Sequence, residues 1–157
     1  MKVNTIQKFI SLIALIILCS CANEYGKLIA NNQKKSEEFM KKNMDLEGVK
    51  SLKSGVQYKV LSVGNGKKPT LSDEVRIHYR GSLINGEVFD SSYAKLGPQK
   101  FKILETIEGW QSVLVEMKEN SIWRVFIPPE LGYGKKGFDR IGPNEVLIFD
   151  IELVEVL

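Results

Sequence analysis

Apolar residues recur with a period of two through the last two-thirds of the chain. Val56, Tyr58 and Val60 alternate with Gln57 and Lys59. Val75, Ile77, Tyr79 and Leu83 share one parity, as do Trp123, Val125 and Ile127. Leu147, Phe149, Ile151 and Leu153 alternate to the C-terminus, with Asp150 and Glu152 between them. Successive side chains on a strand point to opposite faces, so this pattern marks strands with one buried and one wet face. Such strands belong to antiparallel sheets, because parallel sheets bury both faces. Asn85-Gly86 predicts a two-residue hairpin turn, and Pro128-Pro129 stops the strand before it. Only 108–117 reads as helix. The pattern predicts an α+β domain over residues 55–157, an antiparallel sheet with one short helix on its apolar face.

Within this domain the stretch VFDSSY, residues 88–93, sets Asp90 directly after Phe89. Aspartate is a poor strand residue, and a carboxylate is costly to bury alone beside an aromatic ring. One reading makes Asp90 the cap of a bend, with Ser91 and Ser92 in a solvated loop. The other makes it one polar group set into an apolar, concave site.

The first 54 residues have a different texture. Lys2 and Lys8 precede an apolar run over 9–18. Ten residues rise only about 15 Å in a helix, short of the roughly 30 Å hydrocarbon core. Residues 1–20 therefore read as an export signal, the alternative being a retained short anchor. Cys19 and Cys21 are the only cysteines, so no disulfide framework is expected. Leu18-Cys19-Ser20-Cys21 resembles a bacterial lipobox with Cys21 as the lipidated residue, and several acyl chains would give a stable membrane anchor. Residues 21–54 read as a lysine-rich spacer with a short helix within 27–44. Ser36 is expected to cap that helix ahead of Glu37 and Glu38, with Glu37 facing Lys41 and Glu38 facing Lys42. Phe39, Met40 and Met44 make only a thin apolar stripe, which favours a spacer over a dimerisation helix and a monomer over a dimer.

Several chemistries are excluded. A net charge of +3 is too mild to imply nucleic acid. His78 is the only histidine, too few N and S ligands for zinc, and it reads as a half-exposed strand residue on the face opposite Tyr79. Ser91, His78 and Asp90 could be drawn as a hydrolase, but no nucleophile elbow accompanies them. GYGKKG at 132–137 matches G-x-G-x-x-G without the flanking strand and helix that a nucleotide site needs. No metal and no cofactor are expected.

What remains is an aromatic set spread over the domain: Tyr79, Phe89, Trp110, Tyr133 and Phe149. With their neighbours they form four blocks, HYRGSLINGEVFDSS, IEGW, PPELGYG and IGPNEVLIFDIELVEV. These resemble an FKBP-type peptidyl-prolyl cis-trans isomerase from about residue 55 to the end. EEFMKKNMDLEGVKSLKSGVQYKVL extends the resemblance to bacterial macrophage infectivity potentiator-like isomerases, without their long N-terminal dimerisation region.

The resemblance implies a curved antiparallel sheet wrapped around the short helix, with a pocket between them. Trp110 would be the pocket floor, Tyr79, Phe89 and Phe149 its walls, and Ile107 and Ile141 its rim. Tyr133 and the backbone N–H of Ile107 would donate to successive ligand carbonyls, and Asp90 would lie near the Tyr79 hydroxyl. The implied partners are proline-containing polypeptides and macrolide inhibitors. Two positions depart from the family pattern: Gln99 stands where many members carry an aromatic, and Thr106 where an aliphatic residue is common. They leave open a peptide-binding or chaperone module that hardly turns over.

Overall fold

The computed structural model of the chain describes residues 5–95 and 97–157, with side chains from Asn23 onward. The lipobox residues, Cys21 among them, have side chains outside the described ones. Helix α1 spans Thr5–Asn43. The strands are β1 (Val49–Ser51), β2 (Gln57–Ser62), β3 (Glu74–Ser82), β4 (Val88–Ser91), β5 (Gln99–Lys102), β6 (Ser121–Ile127) and β7 (Leu147–Val156), with helix α2 at Glu108–Leu114. The seven strands make one antiparallel sheet among the described residues, in the order β1-β2-β6-β7-β3-β4. β5 pairs with β3 on the same edge as β4, opposite Glu74 to Ile77 where β4 lies opposite Arg80 to Ser82.

The parity read from the sequence holds in the central strands. Val75, Ile77 and Tyr79 of β3, Trp123, Val125 and Ile127 of β6, and Leu147, Phe149, Ile151 and Leu153 of β7 all point into one core. Trp110, Val113 and Leu114 of α2 fill the concave side against them. The outward face carries charged pairs, as in Arg124–Asp150 across β6 and β7 (Nε to Oδ1 2.6 Å), and Phe126, which Phe39 of α1 covers. A Cβ at Gly109 would run into the Ile127 side chain, so glycine lets the first turn of α2 lie close on β6.

Four expectations change. The helix of the N-terminal stretch is not confined to 27–44, and Ser36 is an interior residue of α1 rather than its cap. The Ser36 hydroxyl donates instead to the Asn144 carbonyl (2.7 Å). Gln57, expected on the wet face, is 6% exposed because α1 covers it. Its Oε1 accepts from Asn43 Nδ2 (2.8 Å) and its Nε2 donates to the Met40 carbonyl (2.9 Å). The central helix ends at Leu114, with 115–116 in a turn.

The hairpin loop is also longer than two residues. Gly86 N–H donates to Leu83 O (2.9 Å) and Leu83 N–H to Glu87 O (2.9 Å). This is a turn followed by a left-handed residue, Gly86 at φ 87°, the usual three-residue solution. Pairing begins at Val49, before residue 55. Among the described residues no helix is long and apolar enough to cross a membrane.

Candidate active site

Trp110 sits in the first turn of α2 and is 5% exposed. Tyr79, Phe101 and Phe149 meet it edge to face, with ring centroids 5.2, 5.3 and 5.1 Å away. Edge contacts of this kind match ring quadrupoles as well as burying area. Phe89 meets Phe149 edge-on at 5.5 Å. Both rings cross above Gly81 of β3, where a Cβ would come within 2.6 Å of each. The close approach of the two rings therefore requires glycine there.

Over this floor opens a cavity of about 540 Å³. All eight residues assigned to the pocket from the sequence line it: Tyr79, Phe89, Asp90, Ile107, Trp110, Tyr133, Ile141 and Phe149. Phe101, Glu105 and Thr106 join them from β5 and the turn before α2, and Phe138, Asp139 and Arg140 from the loop ahead of β7. Thr106 turns its hydroxyl onto Ile103 O (2.7 Å). Gln99 is not part of the lining. It opens β5, and its amide donates to Gly97 O (2.8 Å).

Asp90 is not alone in an apolar wall. The Tyr79 hydroxyl donates to its Oδ2 (2.6 Å), and Lys95 Nζ donates both to Asp90 Oδ1 (3.0 Å) and to the Tyr79 oxygen (2.9 Å). The Asp90 side chain is 45% exposed. Burial alone would push its carboxyl up, but the bonds from Tyr79 and Lys95 outweigh that and hold it below its ordinary value. Burial, then the bond to Asp90, pushes the Tyr79 hydroxyl up. Burial raises Tyr133 as well, with the Asp90 charge adding to it. All three groups thus keep their neutral-pH form: carboxylate, phenol, phenol.

Lys95 had no signal in the sequence. It reaches Asp90 only because the 3-10 turn Ser92–Ala94 folds the chain back. The same turn resolves the two readings of VFDSSY in part. Ser91, not Asp90, caps the turn, its hydroxyl accepting the Tyr93 N–H (3.2 Å), while Asp90 Oδ1 accepts the Ser91 N–H (2.8 Å).

Ser92 lies in no solvated loop. It is fully buried, its hydroxyl accepting from Tyr79 N–H (2.8 Å) and donating to Tyr79 O (3.2 Å). The side chain continues the β3 ladder across the gap between β4 and β5. His78 stacks on Tyr93 beside it (4.9 Å). Ser92→Ala should destabilise the domain by about 1–3 kcal/mol, since two backbone groups of Tyr79 lose a buried partner. Chemical denaturation checks this, and a variant as stable as the parent would mean that the edge of β3 finds other partners.

Residues 65–154 match the family model described as FKBP-type peptidyl-prolyl cis-trans isomerase. Residues 6–60 match a second one, the domain amino terminal to such isomerases. Peptidyl-prolyl cis-trans isomerase Mip of Coxiella burnetii is 49% identical over 126 residues, 80% of this chain and 55% of that protein. Outer membrane protein MIP of Legionella longbeachae is 41% identical over 134 residues, 85% of this chain and 58% of that protein. The chain spans about half the length of the curated relatives it matches. Among solved structures, FkpA from Escherichia coli superposes with a TM-score of 0.89 at 35% identity, covering 99% of this chain and 74% of that one. An isomerase from Pseudomonas syringae gives 0.77 at 35% identity, covering 82% and 95%.

Proposed function

Because the chain belongs to the FKBP-type peptidyl-prolyl cis-trans isomerase family, we propose that its cavity catalyses cis–trans isomerisation of X–Pro bonds in exported polypeptides. The observation that carries this reading is the aromatic cavity over Trp110, with the Tyr79–Asp90 pair, backed by Lys95, set into its wall. Rotation about the peptide bond faces a barrier of about 18–20 kcal/mol, from resonance across C–N. At ninety degrees that resonance is lost and the carbonyl is less polar. An apolar cavity therefore disfavours the planar ground state more than the twisted one. Each ~1.4 kcal/mol of that difference is tenfold in rate.

In this reading the proline ring lies on Trp110 in the cavity walled by Tyr79, Phe89 and Phe149. The Tyr133 hydroxyl and the Ile107 N–H donate to flanking carbonyls, and neither group gives a hydrogen bond to another among the described residues. No covalent step is needed. The test is a prolyl isomerisation assay on a tetrapeptide with an apolar residue before proline, with and without a macrolide inhibitor. The parent should turn over, and Tyr133→Phe should lower turnover modestly with melting nearly unchanged. Peptide binding without turnover would favour the chaperone-module reading instead, and an unfolded Tyr133→Phe would mean that this residue is structural.

We also propose that Cys21 is lipidated and holds the domain in the cell envelope, on the periplasmic face of an outer membrane or at the cell surface. The lipobox supports this, as does the outer-membrane name of the Legionella longbeachae relative. Cys21→Ser should release the protein from membranes or leave an uncleaved precursor, read by detergent partitioning and intact mass. An unmodified Cys21 in the mature protein would end the idea.

A further inference from the structure

One side of the cavity is the loop between β6 and β7, which brings Tyr133, Phe138, Asp139, Arg140 and Ile141 to the pocket. Its sequence carries glycine at 132, 134, 137 and 142, so its backbone has much freedom to lose. It is tied within itself by Phe138 N–H to Ile141 O (2.9 Å) and its return bond (2.8 Å). Asn144 N–H closes the loop onto Gly134 O (2.8 Å), one residue from Tyr133.

Helix α1 grips the root of this loop. Asn32 Nδ2 donates to Pro143 O (2.9 Å), and one turn later Ser36 Oγ donates to Asn144 O (2.7 Å). Asn32 is 9% exposed, Ser36 2% and Asn144 4%. These are buried side chains spanning more than a hundred residues of sequence to reach two carbonyls. Further along, the same helix is fixed to the sheet by Asn43 and Met40 on Gln57 and by Phe39 against Phe126 (6.0 Å). Asn32 lies about 16 Å along the axis from Asn43, so a rigid rod joins the sheet to the loop. A helix that merely spaced the domain from a membrane would have no reason to bury an asparagine and a serine on carbonyls at the pocket's root.

We propose that Asn32 and Ser36 are positioning residues for the pocket, with α1 a strut that holds the loop carrying Tyr133 and Ile141 in its binding geometry. The proposal rests on the isomerase reading for its effect on turnover, and on the loop alone for its effect on mobility. The test uses the full chain in detergent and the double variant Asn32→Ala/Ser36→Ala. Amide exchange at Phe138 and Ile141 should speed up by about tenfold, with core amides of β3 and β7 unchanged. The kcat/KM for a proline tetrapeptide should fall by about three- to tenfold, mainly through KM.

Ser121→Ala is the control. Ser121 is equally buried and gives the same kind of bond to Lys118 O (2.6 Å) at the opposite end of β6. It should lose stability while loop exchange and kcat/KM stay within about twofold of the parent. Unchanged loop exchange in the double variant, equal loosening by Ser121→Ala, or faster loop exchange with kcat/KM intact would each overturn the proposal. An inactive parent whose loop still loosens in the double variant would defeat the isomerase reading and sustain the strut.

Discussion

Trp110→Ala should cost the domain about 3–5 kcal/mol, the range for emptying a large aromatic site in a packed core. Trp110 is both the cavity floor and the centre of the aromatic cluster, with Tyr79, Phe101 and Phe149 all leaning on it. Its loss removes contacts from three neighbours at once, and none of them can collapse far because each is seated on β3, β5 or β7. The indole N–H is buried without a hydrogen-bond partner among the described residues, so what the residue contributes is packing. Trp110→Phe should accordingly recover most of the loss. Chemical denaturation of both variants checks this, and a cost under about 1 kcal/mol for Trp110→Ala would mean that the cluster is not the centre of the core.

Asp90→Val should leave the fold in place and cut kcat/KM by about ten- to a hundredfold, roughly 1.4–2.8 kcal/mol of transition-state stabilisation. The carboxylate accepts from the Tyr79 hydroxyl and from Lys95. Without it, Lys95 is left beside the Tyr79 oxygen and the aromatic wall loses the carboxylate that holds both groups. The ion pair is about half exposed on both sides, and pairs of that kind add little to stability. The pH dependence follows from the sign of the shift. A carboxyl held below its unfolded value contributes above that value and loses the contribution as pH falls through the folded one. Turnover that depends on the Asp90 charge should therefore persist through weak acid and fall only below the ordinary carboxylate range. Asp90→Val should lack that acid limb. Full turnover per folded molecule in a destabilised variant would instead make Asp90 a bend residue, acting through its bond to the Ser91 N–H.

The sheet was legible because its signal is local. A period of two at Val75, Ile77 and Tyr79, or at Leu147 to Leu153, needs only one buried face, and β3, β6 and β7 each have one. The eight assigned cavity residues were legible for another reason: their spacing in four blocks resembles a known family, and the fold brings all eight to one cavity. Phe101 and Phe138 could have been suspected as further aromatics of the domain. Lys95 could not, since its reach to Asp90 depends on the geometry of the turn Ser92–Ala94.

The loop at Asn85-Gly86 is longer than its sequence signal implies for a related reason. Asn-Gly suits more than one loop, and the choice is made by which backbone groups close it, here Leu83 with Glu87. The docking of α1 lay furthest from view. Asn32, Ser36, Asn43 and Gln57 are polar, so no apolar period marks them, and read locally Ser36 looks like a cap and Gln57 like a wet-face residue. Sequence alone determined which residues alternate, which are aromatic and in what order they come, because those properties are carried by each residue and its near neighbours. Only the tertiary structure decided which carbonyl a buried hydroxyl meets, because Ser36 and Asn144 are 108 positions apart and their bond exists only after both have been brought together.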